Sequence, residues 1–185
     1  LGFSLSSDWE NDKIQSLYEQ NINEFIVDKT GSILSSIESS NSDNYTIYQS
    51  RENDKVTGYA IPIAGKGLWG TMYGYFAIEP DAETVKGITF YRHKETPGLG
   101  AEVDKEWFQN NFIGKKLIDT NGSLVSVEVV KGYVSSTDPK SMHKVDGISG
   151  ATITGKGLTN FLKNDLQKYE PYLSKVRKLN QIESL

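Results

Sequence analysis

Strand-like runs separated by turn-prone residues fill the centre of the chain, and this pattern constrains the fold more than any other feature. The runs are rich in Tyr, Phe, Ile and Val, which favour β-strands. They lie at residues 45–50, 55–63, 68–78 and 85–91. Polar turn residues such as Glu52-Asn53-Asp54 separate neighbouring runs. The pattern predicts a mainly antiparallel sheet.

Apolar residues at helical spacing predict helices on both sides of this sheet. One predicted helix lies within residues 9–37, and another covers residues 155–169 before Pro171, which is expected to end or kink it. A short helix at residues 102–111 and a strand at residues 124–130 are predicted between them. This order of elements favours a single α+β domain with a mainly antiparallel sheet flanked by helices.

The length of 185 residues suits one domain. We expect a helical segment at residues 1–44 that packs on the core, a main domain at residues 45–173 and a charged, peripheral tail at residues 174–185. The chain opens at Leu1 without a Met or a signal-peptide pattern, so it is expected to be a fragment of a longer protein.

Composition excludes several classes of function. The 20 Lys and Arg residues against 24 Asp and Glu residues give a net charge of −4, which disfavours nucleic-acid binding. The lack of cysteine excludes disulfides, Cys-ligated metal centres and thiol nucleophiles. With His93 and His143 as the two histidines, a His-rich metal site is also excluded. No apolar run reaches the roughly 18 residues of a membrane-spanning helix.

The run Gly-Lys-Gly-Leu-Trp-Gly at residues 65–70 matches the G-x-G-x-x-G pattern. A dinucleotide site needs a helix directly after that pattern, but a strand-like run follows here, which disfavours this interpretation. Two alternatives remain. The glycines form a bend in a strand, or Gly65 and Gly67 let a ligand approach the backbone while Trp69 offers a flat face.

Two further places have both a structural and a functional interpretation. Residues 93–100 form either a plain turn or a loop whose backbone meets a polar heterocycle framed by Glu95 and Thr96. Lys131, at the end of an apolar run, is either a solvated strand end or a countercharge for an anionic ligand.

The run Asp-Gly-Ile-Ser-Gly-Ala-Thr at residues 146–152 precedes the predicted C-terminal helix. It can be a loop that ends in a helix cap. Alternatively, Gly150 and Ala151 leave the hydroxyl of Thr152 accessible, and the helix start favours a phosphate ester there. A Ser or Thr nucleophile would need a base; His143 is near in sequence, and no third member is evident.

The run at residues 146–152 resembles the flavinylation signature of the FMN-binding domain family. The Glu-Thr-Pro-Gly-Leu-Gly run at residues 95–100 is similar to the family's second signature. The Gly-Lys-Gly-Leu-Trp run at residues 65–69 resembles a third, typical of the branch formed by the C subunit of sodium-translocating NADH:quinone oxidoreductase. The resemblance covers residues 65–162 and identifies residues 45–173 as the FMN-binding domain.

In that family the last Thr of the first signature holds FMN by a phosphoester, which a flavin transferase attaches. The resemblance implies this role for Thr152 and a ring between the Trp69 region and the loop at residues 95–99. It further implies that backbone groups near residues 96–99 meet the pyrimidine edge and that Lys131 favours an anionic flavin. The implied cofactor-binding residues are Thr152, Ser149, Gly150, Ala151, Thr154, Asp146, Leu68, Trp69, Glu95, Thr96, Gly98, Leu99 and Lys131. No catalytic residue and no metal ligand is implied.

The resemblance implies an electron-carrying flavoprotein that belongs to a membrane complex which oxidises NADH, reduces quinone and pumps sodium. The domain itself is expected to relay electrons, with the other subunits as partners. The family has an N-terminal membrane helix that places the domain on the periplasmic side of the inner membrane, and its absence here is expected to reflect truncation. One alternative is the G subunit of an Rnf-type ferredoxin:NAD complex, which usually lacks the Leu-Trp pair at residues 68–69. Another is a non-catalytic periplasmic binding or scaffolding domain without flavin.

Overall fold

A computed structural model describes residues 11–34 and 43–183. Five strands form an antiparallel sheet in which each strand pairs with the next one along the chain. They are β1 (Ile22–Val27), β2 (Tyr45–Glu52), β3 (Lys55–Lys66), β4 (Thr71–Ile78) and β5 (Val85–Arg92). Burial alternates along β4, so Met72, Phe76 and Ile78 face the core. Sheet and helices together confirm the predicted α+β class.

The last helix, α3 (Thr152–Glu183), packs against the sheet with β3 as its main neighbour. Its fully buried residues include Leu158, Leu162 and Leu166. Glycines permit the close contact: a Cβ on Gly65 would lie 2.0 Å from the Cβ of Phe161, and one on Gly157 would lie 2.3 Å from the carbonyl oxygen of Lys66. The start of α3 is therefore held beside the end of β3. Within the described ranges, neither α3 nor any other helix is apolar and long enough to cross a membrane.

Short elements connect β5 to α3. They are a 3₁₀ helix at Gly100–Asp104, α2 (Glu106–Asn110), β6 (Glu128–Val129), a second 3₁₀ helix at Ser141–His143 and β7 (Lys144–Val145). β6 and β7 pair in parallel, with Val129 opposite Val145. Phe108, Phe112 and Leu117 from this part are fully buried in the core. Because β7 ends at Val145, the next residues lead directly into α3.

The predicted N-terminal helix is wrong beyond Asn21. In the described residues, α1 covers Asn11–Asn21 and has no buried residue, while residues 9, 10 and 35–37 lie outside the described ranges. Ile22–Val27 instead forms β1, which pairs along β2 and buries Val27. Apolar residues at positions 22, 25 and 26 suit either element, and pairing with a neighbouring strand outweighs the helical spacing.

Helix α3 continues past Pro171, where the sequence predicts an end or a kink, and the tail predicted to be peripheral forms its last turns. A proline inside a helix costs about 3 kcal/mol or more. Burial of Tyr172, Leu173 and Val176 beyond the proline offsets this cost. Arg177 is also buried and donates to the carbonyl of Ala82 at 2.9 Å.

The strand predicted at residues 124–130 is reduced to β6. The N–H groups of Val125 and Ser126 both donate to the carbonyl of Leu117, at 2.8 and 3.0 Å. Ser126 also has a φ of +68°. Because this left-handed conformation interrupts an extended backbone, the strand cannot begin before it.

Candidate functional site

The run that leads from β7 into α3 is fastened to the segment after β6. Oδ1 of Asp146 accepts the N–H of Val134 at 2.7 Å, and the N–H of Gly147 donates to the carbonyl of Gly132 at 2.7 Å. A Cβ on Gly147 would lie 2.1 Å from the carbonyl oxygen of Val130. Asp146 and Gly147 therefore hold that segment in place, and only glycine leaves room for the contact.

Thr152 is the first residue of α3 and is partly buried. Gly150 before it has a φ of +74°, and the carbonyl of Ala151 accepts the N–H of Gly155 at 3.0 Å. The first N–H groups of a helix lack intrahelical acceptors and favour anions. The hydroxyl of Thr152 therefore lies where a phosphate group would be stabilised.

Leu99 brings the loop at residues 95–100 to the same place. A Cβ on Gly150 would lie 2.7 Å from Cδ2 of Leu99. The carbonyl of Thr96 accepts the N–H groups of Leu99 and Ala101, both at 3.1 Å, which closes the loop on itself. The Thr96 carbonyl and these two N–H groups are therefore used within the loop.

A tight turn between β3 and β4 carries Leu68 and Trp69. The N–H of Gly67 donates to the carbonyl of Gly70 at 2.8 Å and closes the turn. The side chain of Trp69 is 65% exposed, and Leu68 is also exposed. Since this is a β-hairpin with no helix after it, the dinucleotide-site alternative for the glycine-rich run is wrong.

A ligand contact is not needed to explain Gly65 and Gly67, because both make room for groups of the protein itself. Gly65 accommodates Phe161 of α3, and a Cβ on Gly67 would lie 2.6 Å from Oε1 of Glu95. The strand-bend interpretation is also incomplete, because these glycines serve contacts between distant segments.

Glu95 and Thr154 are buried and bind each other. Oε2 of Glu95 accepts the Thr154 hydroxyl at 2.5 Å, and Oε1 accepts the backbone N–H of Trp69 at 2.9 Å. Both carboxylate oxygens are therefore engaged inside the protein. Their geometry connects the Trp69 turn to α3.

A cleft of about 610 Å³ opens beside the start of α3. The predicted site residues Gly98, Asp146 and Ser149 line it. So do two residues that the sequence analysis missed, Trp107 and Tyr133, which are 49% and 87% exposed. The cleft therefore joins the second and first signatures at one surface.

Helical spacing is a weak signal for Trp107. It precedes Phe108 in α2, and successive residues of a helix point about 100° apart, so a short helix often buries only one of two adjacent aromatic residues. Phe108 is fully buried, and the indole N–H of Trp107 donates to Glu102 at 3.1 Å, also beside the cleft. No local pattern distinguishes Tyr133 from any other loop tyrosine.

Lys131 is exposed in the segment that Gly147 contacts, so the structure brings it beside the 146–152 run. His143, the base that a Ser or Thr nucleophile would need, contacts the carbonyl of Lys116 through Nδ1 at 2.7 Å. Nδ1 must therefore carry the proton and donate it to that carbonyl. No hydrogen bond of the described residues joins His143 to Thr152.

The three signatures thus meet around the start of α3, and comparison with known proteins identifies the fold family. Residues 67–167 match the model of the FMN-binding domain. The chain belongs to the FMN-binding domain family. The match contains Trp69, the 95–100 loop and Thr152, and it confirms the resemblance drawn from the sequence.

Curated relatives within the FMN-binding domain family share one name. The chain is 42% identical over 135 residues to the C subunit of the Na(+)-translocating NADH-quinone reductase of Pseudomonas aeruginosa, covering 72% of this chain and 51% of that protein. It is 44% identical over 131 residues to the C subunit of the Chlamydia muridarum reductase, covering 65% and 41%. The chain spans about half the length of the curated relatives it matches.

Solved structures of the FMN-binding domain family have the same architecture. The crystal structure of the corresponding C subunit from Parabacteroides distasonis is 32% identical with a TM-score of 0.77, covering 90% of this chain and 85% of that one. Shewanella oneidensis NqrC has a TM-score of 0.79 at 24% identity, covering 92% and 90%, and this likeness concerns the fold alone.

The described residues fit the cofactor in the family's name. Thr152 offers a hydroxyl at a helix start, which suits a phosphate. The exposed side chains of Trp69 and Leu99 suit a flat apolar ring, and no atom lies within 4 Å of where a Cβ on Gly98 would be. The cleft of about 610 Å³, which falls within the roughly 300–1,000 Å³ of small-molecule sites, is lined by the neighbouring Gly98 and Ser149 and not by Thr152, Trp69 or Leu99.

Proposed function

We propose that this chain is the flavin-carrying domain of a sodium-translocating NADH:quinone oxidoreductase, with FMN joined to Thr152 by a phosphoester. The observation that supports it most is the position of Thr152, a partly buried residue on the first turn of α3 beside the Leu99–Gly150 contact. The relatives' name supports the C subunit of this enzyme over the G subunit of an Rnf-type complex.

An ester at Thr152 suits the electrostatics of the helix start. The new bond joins Oγ of Thr152 to the phosphorus of the flavin donor, the bond from that phosphorus to the donor's leaving group breaks, and the leaving group takes the hydroxyl proton. The resulting diester keeps one negative charge, which the helix dipole stabilises by about 0.3–1 kcal/mol. FMN supplies the redox chemistry when bound, while this chain holds and orients it.

The flavin ring is proposed to lie between the Trp69 turn and the 95–99 loop. Leu68, Trp69 and Leu99 are exposed apolar side chains on these two segments. An aromatic contact with Trp69 contributes about 0.5–1.5 kcal/mol beyond area burial. The remaining proposed contacts are Thr96 and Gly98 at the pyrimidine edge and Lys131 as countercharge. Asp146, Ser149, Gly150 and Ala151 shape the attachment run.

The proposed role of the domain is electron relay between other centres of the complex. The partners are its other subunits and, during maturation, a flavin transferase. In the full protein we propose an N-terminal membrane anchor in the inner membrane and a domain on the periplasmic side.

Co-expression with a flavin transferase tests the ester. We expect the intact mass to exceed the polypeptide by one FMN less a water, with a fluorescent band on a denaturing gel. Thr152→Val should abolish both signals. Thr120→Val, the same substitution at an exposed threonine outside the three signatures, is the matched control and should retain both. An unmodified wild-type mass beside an active transferase would refute the proposal and favour a domain without flavin.

A further inference from the structure

Glu95 joins three parts of the candidate site through one carboxylate, and it is 5% exposed. Its Oε1 accepts the N–H of Trp69, and its Oε2 accepts the hydroxyl of Thr154. One side chain thus connects the loop that carries it, the turn between β3 and β4, and the first turn of α3.

Two glycines leave room for this carboxylate. A Cβ on Gly67 would lie 2.6 Å from Oε1 of Glu95. A Cβ on Gly100 would lie 2.5 Å from Oε2 and 2.7 Å from Oγ1 of Thr154. A larger residue at either position would separate the carboxylate from its donors. Glycines of two separate signatures therefore serve the same buried contact.

The carboxylate of Glu95 has hydrogen-bond donors but no ion-pair partner in residues 11–34 and 43–183. Burial of a charge is costly unless hydrogen bonds and dipoles compensate for lost water. Here the compensation comes from Trp69, Thr154 and the start of α3. Loss of either donor should therefore loosen the whole connection.

Helix geometry relates this contact to Thr152. Residues two positions apart in an α-helix point about 200° apart. Thr154 is 1% exposed and faces Glu95, whereas Thr152 is only partly buried on the other side of the same turn. Holding Thr154 inward therefore fixes the rotation of the first turn of α3, and with it the direction of the Cα–Cβ bond of Thr152.

We propose that Glu95 is a positioning residue for flavin attachment: by binding Trp69 and Thr154, it fixes the Thr152 hydroxyl relative to the Trp69 turn. This inference rests on the proposed ester at Thr152. Glu95 acts through these two residues, without contact to the cofactor.

The test compares substitutions at both ends of the contact. Glu95→Ala and Thr154→Val remove it, whereas Glu95→Gln and Thr154→Ser keep a hydrogen-bonding group. Exchange of the Trp69 backbone N–H is measured by NMR in the unmodified protein, and the modified fraction is measured by intact mass after co-expression with a flavin transferase. In the first two variants we expect exchange about tenfold faster and a modified fraction at least about threefold lower. The two conservative variants should remain near wild type in both measurements.

Glu170→Gln is the matched control, because it weakens the contact with Arg177 in the C-terminal half of α3. It should lower thermal stability and leave both measurements unchanged. Equal modification of the wild type and Glu95→Ala would overturn the positioning role and leave the ester standing. An unmodified wild type would overturn both. A comparable loss of modification in Glu170→Gln would reduce the effect to general stability and also overturn the proposal.

Discussion

The carboxylate of Asp146 accepts the backbone N–H of Val134 at 2.7 Å. This bond fixes the segment that carries Lys131 and Tyr133 beside the cleft. Asp146→Ala should therefore quicken exchange of the Val134 N–H and lower the free energy of unfolding by about 1–3 kcal/mol. Asp146→Asn retains an acceptor oxygen, so its exchange rate at Val134 and its free energy of unfolding should lie between those of Asp146→Ala and the wild type. NMR exchange and urea unfolding measure both effects, and unchanged exchange at Val134 in the Ala variant would contradict the assignment.

Close packing of α3 on β3 predicts that Gly65 tolerates no side chain. Because a Cβ there would lie 2.0 Å from that of Phe161, Gly65→Ala should destabilise the protein by about 1–3 kcal/mol or more. Gly87 in β5 is a control with no atom within 4 Å of its would-be Cβ. Urea unfolding of Gly87→Ala should give a value near wild type. Equal effects of the two substitutions would argue against the close contact.

The helix beyond Pro171 depends on Arg177, which binds Glu170 and the carbonyl of Ala82. Arg177→Ala leaves both without their donor and should cost about 2–3 kcal/mol. Thermal denaturation and amide exchange of the last turns of α3 would report this loss. The exposed Lys178 provides a control on the same turn, and Lys178→Ala should change neither measurement. Unchanged amide exchange in the last turns of α3 of Arg177→Ala would contradict this role of Arg177.

Tyrosines with raised pKa values predict a loss of stability at high pH. Burial, with a smaller contribution from Glu24, raises the pKa of Tyr48 from 10.0 to about 12, and burial also raises the pKa of Tyr169. Between pH 10 and about 12 the unfolded chain binds fewer protons than the folded one, so the free energy of unfolding should fall as the pH rises. Urea midpoints across this range should fall less steeply for Tyr48→Phe. The 87% exposed Tyr133 offers the control Tyr133→Phe, which should keep the wild-type slope.

The isolated flavinylated domain should not oxidise NADH. The glycine-rich run forms a hairpin turn at Trp69, and a pyrophosphate site of the strand–turn–helix type needs a helix at that point. The absorption band of the oxidised flavin should therefore persist after mixing with NADH and disappear with dithionite, the positive control. Rapid bleaching by NADH would contradict the proposed relay role.

Helix α3 and the hairpin strands could be predicted because their patterns are local. Leu158, Leu162 and Leu166 recur at helical spacing, and all three are buried. The contact between Leu99 and Gly150 could not be predicted from spacing, since it depends on how distant segments pack. The signatures predicted that these segments form one site, but the contacts between the segments are known only from the fold.

Local patterns failed where tertiary contacts outweigh them. The apolar spacing in Ile22–Val27 suits a helix, but the pairing with β2 makes it a strand. Pro171 normally ends a helix, yet the buried residues beyond it keep α3 intact. The left-handed backbone of Ser126 has no signal in the sequence, because such conformations are expected mainly of Gly, Asn and Asp.

The position of Thr152 at the start of α3 limits the movement of any group attached to it. The helix has 32 residues and is about 48 Å long, and contacts fix it at both ends, through Thr154 near its start and Arg177 near its finish. A cofactor on this residue has no hinge between itself and the body of the protein. Relative to the domain, such a group can move only by rotation about the bonds of its own linkage. A larger displacement would require rigid-body movement of the whole domain.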